Sequence, residues 1–192
     1  RRARQAARTQ ESAALFDRAA QAFDSAGMPE ERFAARCERG ISLVYADFGD
    51  QAKRELQDLM AVAGSDAQRL RVGRVLVDLL SERSESLEAV QAGEAALAQA
   101  RRLGDHDALL RLACHVATAL CRLGRAGDAM TLLLPLQHWV DTQGDDELRM
   151  LWHGEWAATL GHLGRLREAV AAYDEARAAA RRIGSPDAEG RL

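Results

Sequence analysis

The sequence predicts an all-α solenoid of stacked antiparallel helix pairs. Three observations carry that expectation. Glycine returns at Gly64, Gly104, Gly144 and Gly184, successive intervals of 40 residues; a second glycine series runs in phase with the first; and the apolar residues between them keep helical spacing. Composition agrees: 47% of the residues are apolar, only 5% aromatic and only 3 are proline, as closely packed helices require. Two glycine positions per period divide each unit into two helices and two turns.

Residues 5–27 read as the second helix of an incomplete repeat, because Phe16-Asp17-Arg18-Ala19 precedes Gly27 as Tyr173-Asp174-Glu175-Ala176 precedes Gly184. The first full unit, 28–64, is shorter than the period, and the shortfall falls on its second helix at 50–63. In the unit 65–104, Ser65 follows Gly64 as a helix N-cap and Gln68 can complete a capping box. Arg83-Ser84-Glu85 stands where later units have Leu123-Gly124-Arg125 and Leu163-Gly164-Arg165. Units 105–144 and 145–184 open on the caps Asp105 and Asp145. Their first helices carry matched apolar stripes, Ala113, Val116, Ala117, Leu120 and Leu123 against His153, Trp156, Ala157, Leu160 and Leu163. Their second helices set Ala129, Leu133 and Leu136 against Ala169, Tyr173 and Ala176. Pro135 lacks a backbone N–H and should kink or end the helix that contains it. Ser185 and Pro186 repeat the cap signal, so 185–192 reads as the start of a further repeat and 1–192 as a slice of one repeat domain within a longer protein.

The formal net charge of −3 supplies no basic face for phosphates, so nucleic acid is not an expected partner. No run approaches the roughly 18 apolar residues of a membrane span, which predicts no insertion. Cys37, Cys114 and Cys121 are too few for a disulfide framework. On one helix Cys114 and Cys121 would stand roughly 10 Å apart, beyond the roughly 7 Å that a bridge spans. A reducing, cytoplasmic setting is expected.

Small Ala117 or Ala157, then Leu-Gly, then alanine five residues beyond that glycine, then Tyr173 and Ala176, resemble the tetratricopeptide repeat (TPR) family. The 40-residue period and the Ala-Arg-Arg-Leu-Gly-Asp linker are similar to a variant found in bacterial signalling proteins, where it flanks diguanylate cyclase (GGDEF), nucleotide-cyclase or transcription-factor output domains. The resemblance implies a right-handed superhelix whose first helices line a concave groove. Position by position it places Arg71, Arg74, Asp78 and Glu82 on that groove, then Arg111, Cys114, Thr118, Cys121 and Arg122, then Leu151, Gly154, Ala158, Gly161 and His162.

Four of these residues are arginines, Arg71, Arg74, Arg111 and Arg122, whose forks suit a carboxylate or acidic peptide. The competing reading is a solvated face on which Arg74 pairs with Asp78 four residues on. With Thr118 and His162 they form the candidate partner-binding set. Cys114, His115 and Cys121 lack the short ligand pair of a metal site, and Cys114 and Cys121 align with Gly154 and Gly161, which suggests small residues under close packing. Trp152 and Trp156 occupy core positions, whereas Trp139, just after Pro135, either fills the kink or forms an exposed contact. No phosphate-cradling loop and no ordered Ser, His and acid set is present, so neither cofactor nor catalysis is expected. The predicted function is a protein-interacting or ligand-sensing scaffold of a larger signalling protein. A structural spacer or homodimerisation module is the alternative, and an enzyme the remote one.

Overall fold

The computed structural model describes residues 2–46 and 48–184, and of residues 2–8 the backbone alone; the expected repeat start at 185–192 lies outside the described residues. Among the described residues every element is helical. In chain order these are α1 (Arg2–Ser25), α2 (Pro29–Tyr45), α3 (Gly49–Val62), α4 (Asp66–Glu82), α5 (Ser86–Leu103), α6 (His106–Arg122), α7 (Ala126–Leu133), a 3-10 turn (Leu134–Leu136), α8 (Gln137–Gln143), α9 (Asp146–His162) and α10 (Leu166–Ile183). Within the two units, short connections fold α1 on α2, α2 on α3, α5 on α6, α6 on α7 and α9 on α10, which yields antiparallel pairs.

The helix starts obey the cap chemistry of the sequence. The Asp105 and Asp145 carboxylates accept the N–H groups of Ala108 and Leu148, each at 2.9 Å. Ser65 Oγ accepts from the Gln68 N–H at 3.2 Å, and Gln68 Oε1 reaches back to the Gly64 N–H at 2.7 Å, so the expected reciprocal cap forms one residue further out. First helices α2, α4, α6 and α9 all have 17 residues. Among second helices, α5 and α10 have 18 and α3 only 14, which places the deficit of the first full unit where the glycine interval predicts it.

The 40-residue glycines serve two different purposes. Gly104 and Gly184 end α5 and α10 in the left-handed region, φ 67° and 68°. Gly144 is at φ −67°, and there a Cβ would come within 2.6 Å of the Val140 carbonyl oxygen, so contact and not φ demands glycine. In the second series Ser84 takes φ 59° where Gly124 and Gly164 take 75°. The turn therefore survives the loss of glycine, at the steric cost an L-residue carries there. Ser84→Gly should raise stability by about 0.5–1 kcal/mol, part of the relieved strain being offset by glycine's unfolded-state entropy; chemical denaturation against wild type measures it.

Pro135 acts as its chemistry requires. Helix α7 stops at Leu133, a 3-10 turn carries the proline, and α8 resumes at Gln137. This segmentation aims Trp139 at α6, where its half-buried ring stacks on His106 with centroids 5.3 Å apart.

The chain forms two compact units, Arg1–Leu79 and Leu80–Leu192. In the first, α1 packs on α2 and α2 on α3 around buried Phe33, Cys37, Leu43, Leu56 and Leu59. In the second, α6 packs on α5, α7 and α9, and α9 packs on α10. Of the predicted stripe on α6, Ala113, Val116, Ala117 and Leu120 are buried. Leu123 and Leu163 are not, because each lies just past its helix end. Trp152 is buried to 1% exposure, and its indole N–H donates to the Leu133 carbonyl at 3.2 Å. Trp156 lies at the edge of the core rather than inside it: it is half-buried, stacked on Trp152 at 5.4 Å and packed against the cluster of Ala157, Leu160, Ala169 and Ala172.

Candidate functional site

The predicted groove residues fall in both units. In the first, Arg71, Arg74 and Asp78 lie on α4, with Arg71 and Arg74 exposed and Asp78 half-buried. Arg71 stands 3.8 Å from Glu38 on α2, a solvent-exposed pair of little energetic weight.

In the second unit, α6 carries Arg111, Thr118 and Arg122 along one face. Arg111 is committed: its guanidinium holds Asp107 one turn earlier at 3.1 Å and Glu147 of α9 at 3.0 Å. Burial, the largest single influence, works to lower its pKa, but the hydrogen bonds it donates to these carboxylates and their negative charge together raise it. Arg111 is thus a strut between the two first helices. Arg122, in the last turn of α6, is exposed; one terminal nitrogen donates to the Ser81 carbonyl at 2.6 Å, and the rest of its fork points to no other described acceptor. Thr118 is half-buried one turn earlier and donates its hydroxyl proton to the Cys114 carbonyl at 3.1 Å. His162 is exposed at the end of α9.

The helix α9 that packs on α6 carries a residue the sequence reading passed over. Glu155 of α9 is half-buried against α6, and burial pushes its carboxyl up from 4.5 to about 7, although a hydrogen bond with Thr118 and the positive charge of Arg122 both act to lower it. The signal was present in the period: Glu155 occupies the place of His115 and Val75, so a carboxylate interrupts positions held elsewhere by an imidazole and an apolar side chain.

The cysteines transferred to the groove do not open onto one. Cys114 and Cys121 are buried, and Cys121 contacts Thr159 Oγ1 of α9 at 3.7 Å. Burial raises both thiols, as it raises Cys37 to about 11, which keeps them protonated and poor as nucleophiles or ligands. The close packing expected at the aligned glycines fails at Gly161, where an added Cβ would meet nothing within 4 Å. Among the described residues no group of three His, Cys, Asp or Glu side chains could hold a metal ion. None of the helices there is long and apolar enough to cross a membrane.

The arrangement on the α6–α9 face is therefore one exposed guanidinium, a hydroxyl and a half-buried carboxyl. It can recognise a polar or anionic group; it holds no activated nucleophile beside a base.

No protein-family model matches the chain, and no curated protein matches it. Among solved structures, the chain is similar to a crystal structure from Podospora anserina described as a kinesin light chain with nearly identical TPR-like repeats. Identity is 19%, the TM-score 0.75, and the alignment covers 96% of this chain and 93% of the other. At that identity the likeness shows the fold alone: this is an all-α, TPR-like helical-repeat chain.

Proposed function

We propose that the chain is a non-catalytic protein-interaction scaffold whose α6–α9 face anchors an acidic group of a partner on Arg122. The observation that carries the reading is the exposed guanidinium of Arg122, held at one nitrogen by the Ser81 carbonyl and open at the others, on a first helix of a TPR-like repeat. A guanidinium fixed at one end keeps its planar fork oriented, which lowers the entropy lost when a carboxylate docks. Arg111 plays the supporting part, since its two carboxylates already neutralise it. Thr118 stands one turn away as an adjustable hydrogen-bonding group. Arg71, Arg74 and Asp78 form a separate candidate stretch on α4 for the same kind of partner.

We place this scaffold in the cytoplasm, as a regulatory module of a larger bacterial signalling protein with an output domain of the diguanylate cyclase or transcription-factor kind. The period and the linker carry that assignment.

Fluorescence anisotropy with a labelled glutamate-rich peptide tests the face. Wild type should bind saturably, and Arg122→Glu should weaken binding at least about tenfold, as loss of a charge-assisted bond and gain of a repulsion imply. Equal binding by both proteins would remove Arg122 from the site.

One observation favours a dimerisation reading as second choice. Leu166 and Val170 of α10 are 67% and 60% exposed, whereas Ala126 and Ser86, at the position of Leu166 in the preceding units, are 7% and 8% exposed. Light scattering across a dilution series decides: a monomer at every concentration eliminates it.

A further inference from the structure

Helix α2 departs from its counterparts along one face. With Gly27 set against Gly64, Arg36 and Arg39 of α2 stand where α4 has Gly73 and Leu76 and where α6 has Ala113 and Val116. Those four counterparts are all buried. In the first unit two guanidiniums therefore replace apolar core residues, and a cavity of about 180 Å³ lies beside them between α1 and α2. Its polar lining is made of half-buried Asp17, Arg36 and Arg39 together with exposed Gln21, Asp24 and Arg32.

Pairing within the lining leaves one cation over. Arg32 pairs with Asp24, Arg39 pairs with Glu55 of α3, and Gln21 donates to Asp17 at 2.9 Å. The buried Nε of Arg39 makes no hydrogen bond, since the Asp17 carboxylate stands 3.6 Å from it. The Arg36 guanidinium makes neither an ion pair nor a hydrogen bond with any other described residue. Three residues apart on α2, the two arginines share one face of the helix. A half-buried cation and a buried N–H, both without an acceptor and both in one lining, are groups that an oxyanion would satisfy.

We propose that the cavity between α1 and α2 binds a small monocarboxylic acid whose carboxylate is held by Arg36 and Arg39. Size sets the first limit: the cavity has the volume of about six waters at roughly 30 Å³ each and falls short of the roughly 300 Å³ at which pockets for drug-sized ligands begin. The acid therefore has only a few non-hydrogen atoms. Charge sets the second. Arg36 offsets one negative charge, whereas a phosphate group, at about −1.5 to −2, would bring its excess charge against Asp17 and Asp24. The planar fork of a guanidinium also matches the planar carboxylate. This site shares no residue with the α6–α9 face.

The test follows the arginine Nε–H and backbone amide resonances of the whole, isotopically labelled chain by NMR while sodium propionate replaces sodium chloride at constant ionic strength. Saturable shifts should gather on the Arg36 and Arg39 side chains and on the amides of residues 17–24 and 32–39. Arg36→Ala should weaken the binding at least about tenfold. The variant should fold, because α6 carries Ala113 at the same place, and Arg36→Gln repeats the loss with the side chain kept long. Arg122→Glu should leave the titration unchanged. Shifts that never saturate, or that persist undiminished in Arg36→Ala and Arg36→Gln, overturn the site. Shifts centred on residues 111–122 also overturn it and assign propionate to the α6–α9 face. Inorganic phosphate binding more tightly than propionate overturns the monocarboxylate assignment.

Discussion

Glu155→Gln should stabilise the protein at pH 8, by at most about 3 kcal/mol, and leave it nearly unchanged at pH 4. The sign follows from where the proton is held. Unfolded, the carboxyl loses its proton around 4.5; folded, burial keeps the proton on until about 7. Between these values the native state binds a proton that the unfolded state has released, so stability declines as pH rises through the window and is lowest above it. The shift of about 2.5 units, from 4.5 to 7, at 1.36 kcal/mol per unit, sets the ceiling of about 3 kcal/mol. Glutamine keeps the shape and the hydrogen-bonding capacity without the charge, so the variant should show a flat profile where wild type slopes. Urea titrations at a series of pH values measure it directly, read by tryptophan fluorescence. Because Trp139, Trp152 and Trp156 all belong to the unit Leu80–Leu192, the signal reports the unit that contains the substitution. A wild-type midpoint that rises from pH 5 to pH 8 in parallel with the variant would show that Glu155 ionises normally.

Trp152→Ala should cost about 3–5 kcal/mol, the range for emptying a buried aromatic site. Three losses combine. The largest fully buried side chain of the second unit disappears, its N–H bond to the Leu133 carbonyl goes with it, and Trp156 loses the ring on which it stacks. Position matters as much as size, since Leu133 ends α7 directly before the turn that carries Pro135, and the indole ties that interruption to α9. Trp156→Ala, half-buried and with no such bond, should cost about half as much, and Trp152→Phe about 1–2 kcal/mol by keeping the ring and losing the donor. Thermal and urea unfolding by far-UV circular dichroism would rank the three. Equal losses for Trp152→Ala and Trp156→Ala would contradict the assignment of Trp152 as the pin.

Much of the fold was legible because the period is written in residues with strong local rules. Asp105 and Asp145 cap α6 and α9, and Gly104 and Gly184 close the helices before them; each follows from short-range geometry that neighbours scarcely alter. Pro135 broke its helix because a missing N–H does so in any context. Ser84 shows where such reading stops: the turn at 83–85 keeps its left-handed residue although the glycine that would announce it is absent, held by the helices on both sides. Trp156 shows it again, since period assigned it to the core and only the packing of α9 on α10 reveals that it closes the core's edge half-buried.

The candidate site was less legible, for a physical reason. A transferred position states which way a side chain leaves its helix, not what waits for it. Arg111 and Arg122 look alike in sequence, yet one meets Asp107 and Glu147 and becomes a strut, while the other meets a backbone carbonyl and keeps an open fork. Cys114 and Cys121 leave α6 on the expected face and are covered by α9. Glu155 escaped notice because its character comes from the helix opposite, 33 to 37 residues earlier in the chain at Thr118 and Arg122.

Backbone amide shifts test most directly whether the α6–α9 face receives the proposed acidic partner. With the isotopically labelled chain titrated by the glutamate peptide at about pH 6, below the Glu155 transition, the largest perturbations should map to residues 111–122 of α6 and 147–162 of α9 and should vanish in Arg122→Glu. Perturbations centred on Leu166 and Val170 of α10, or none that saturate, would contradict the account.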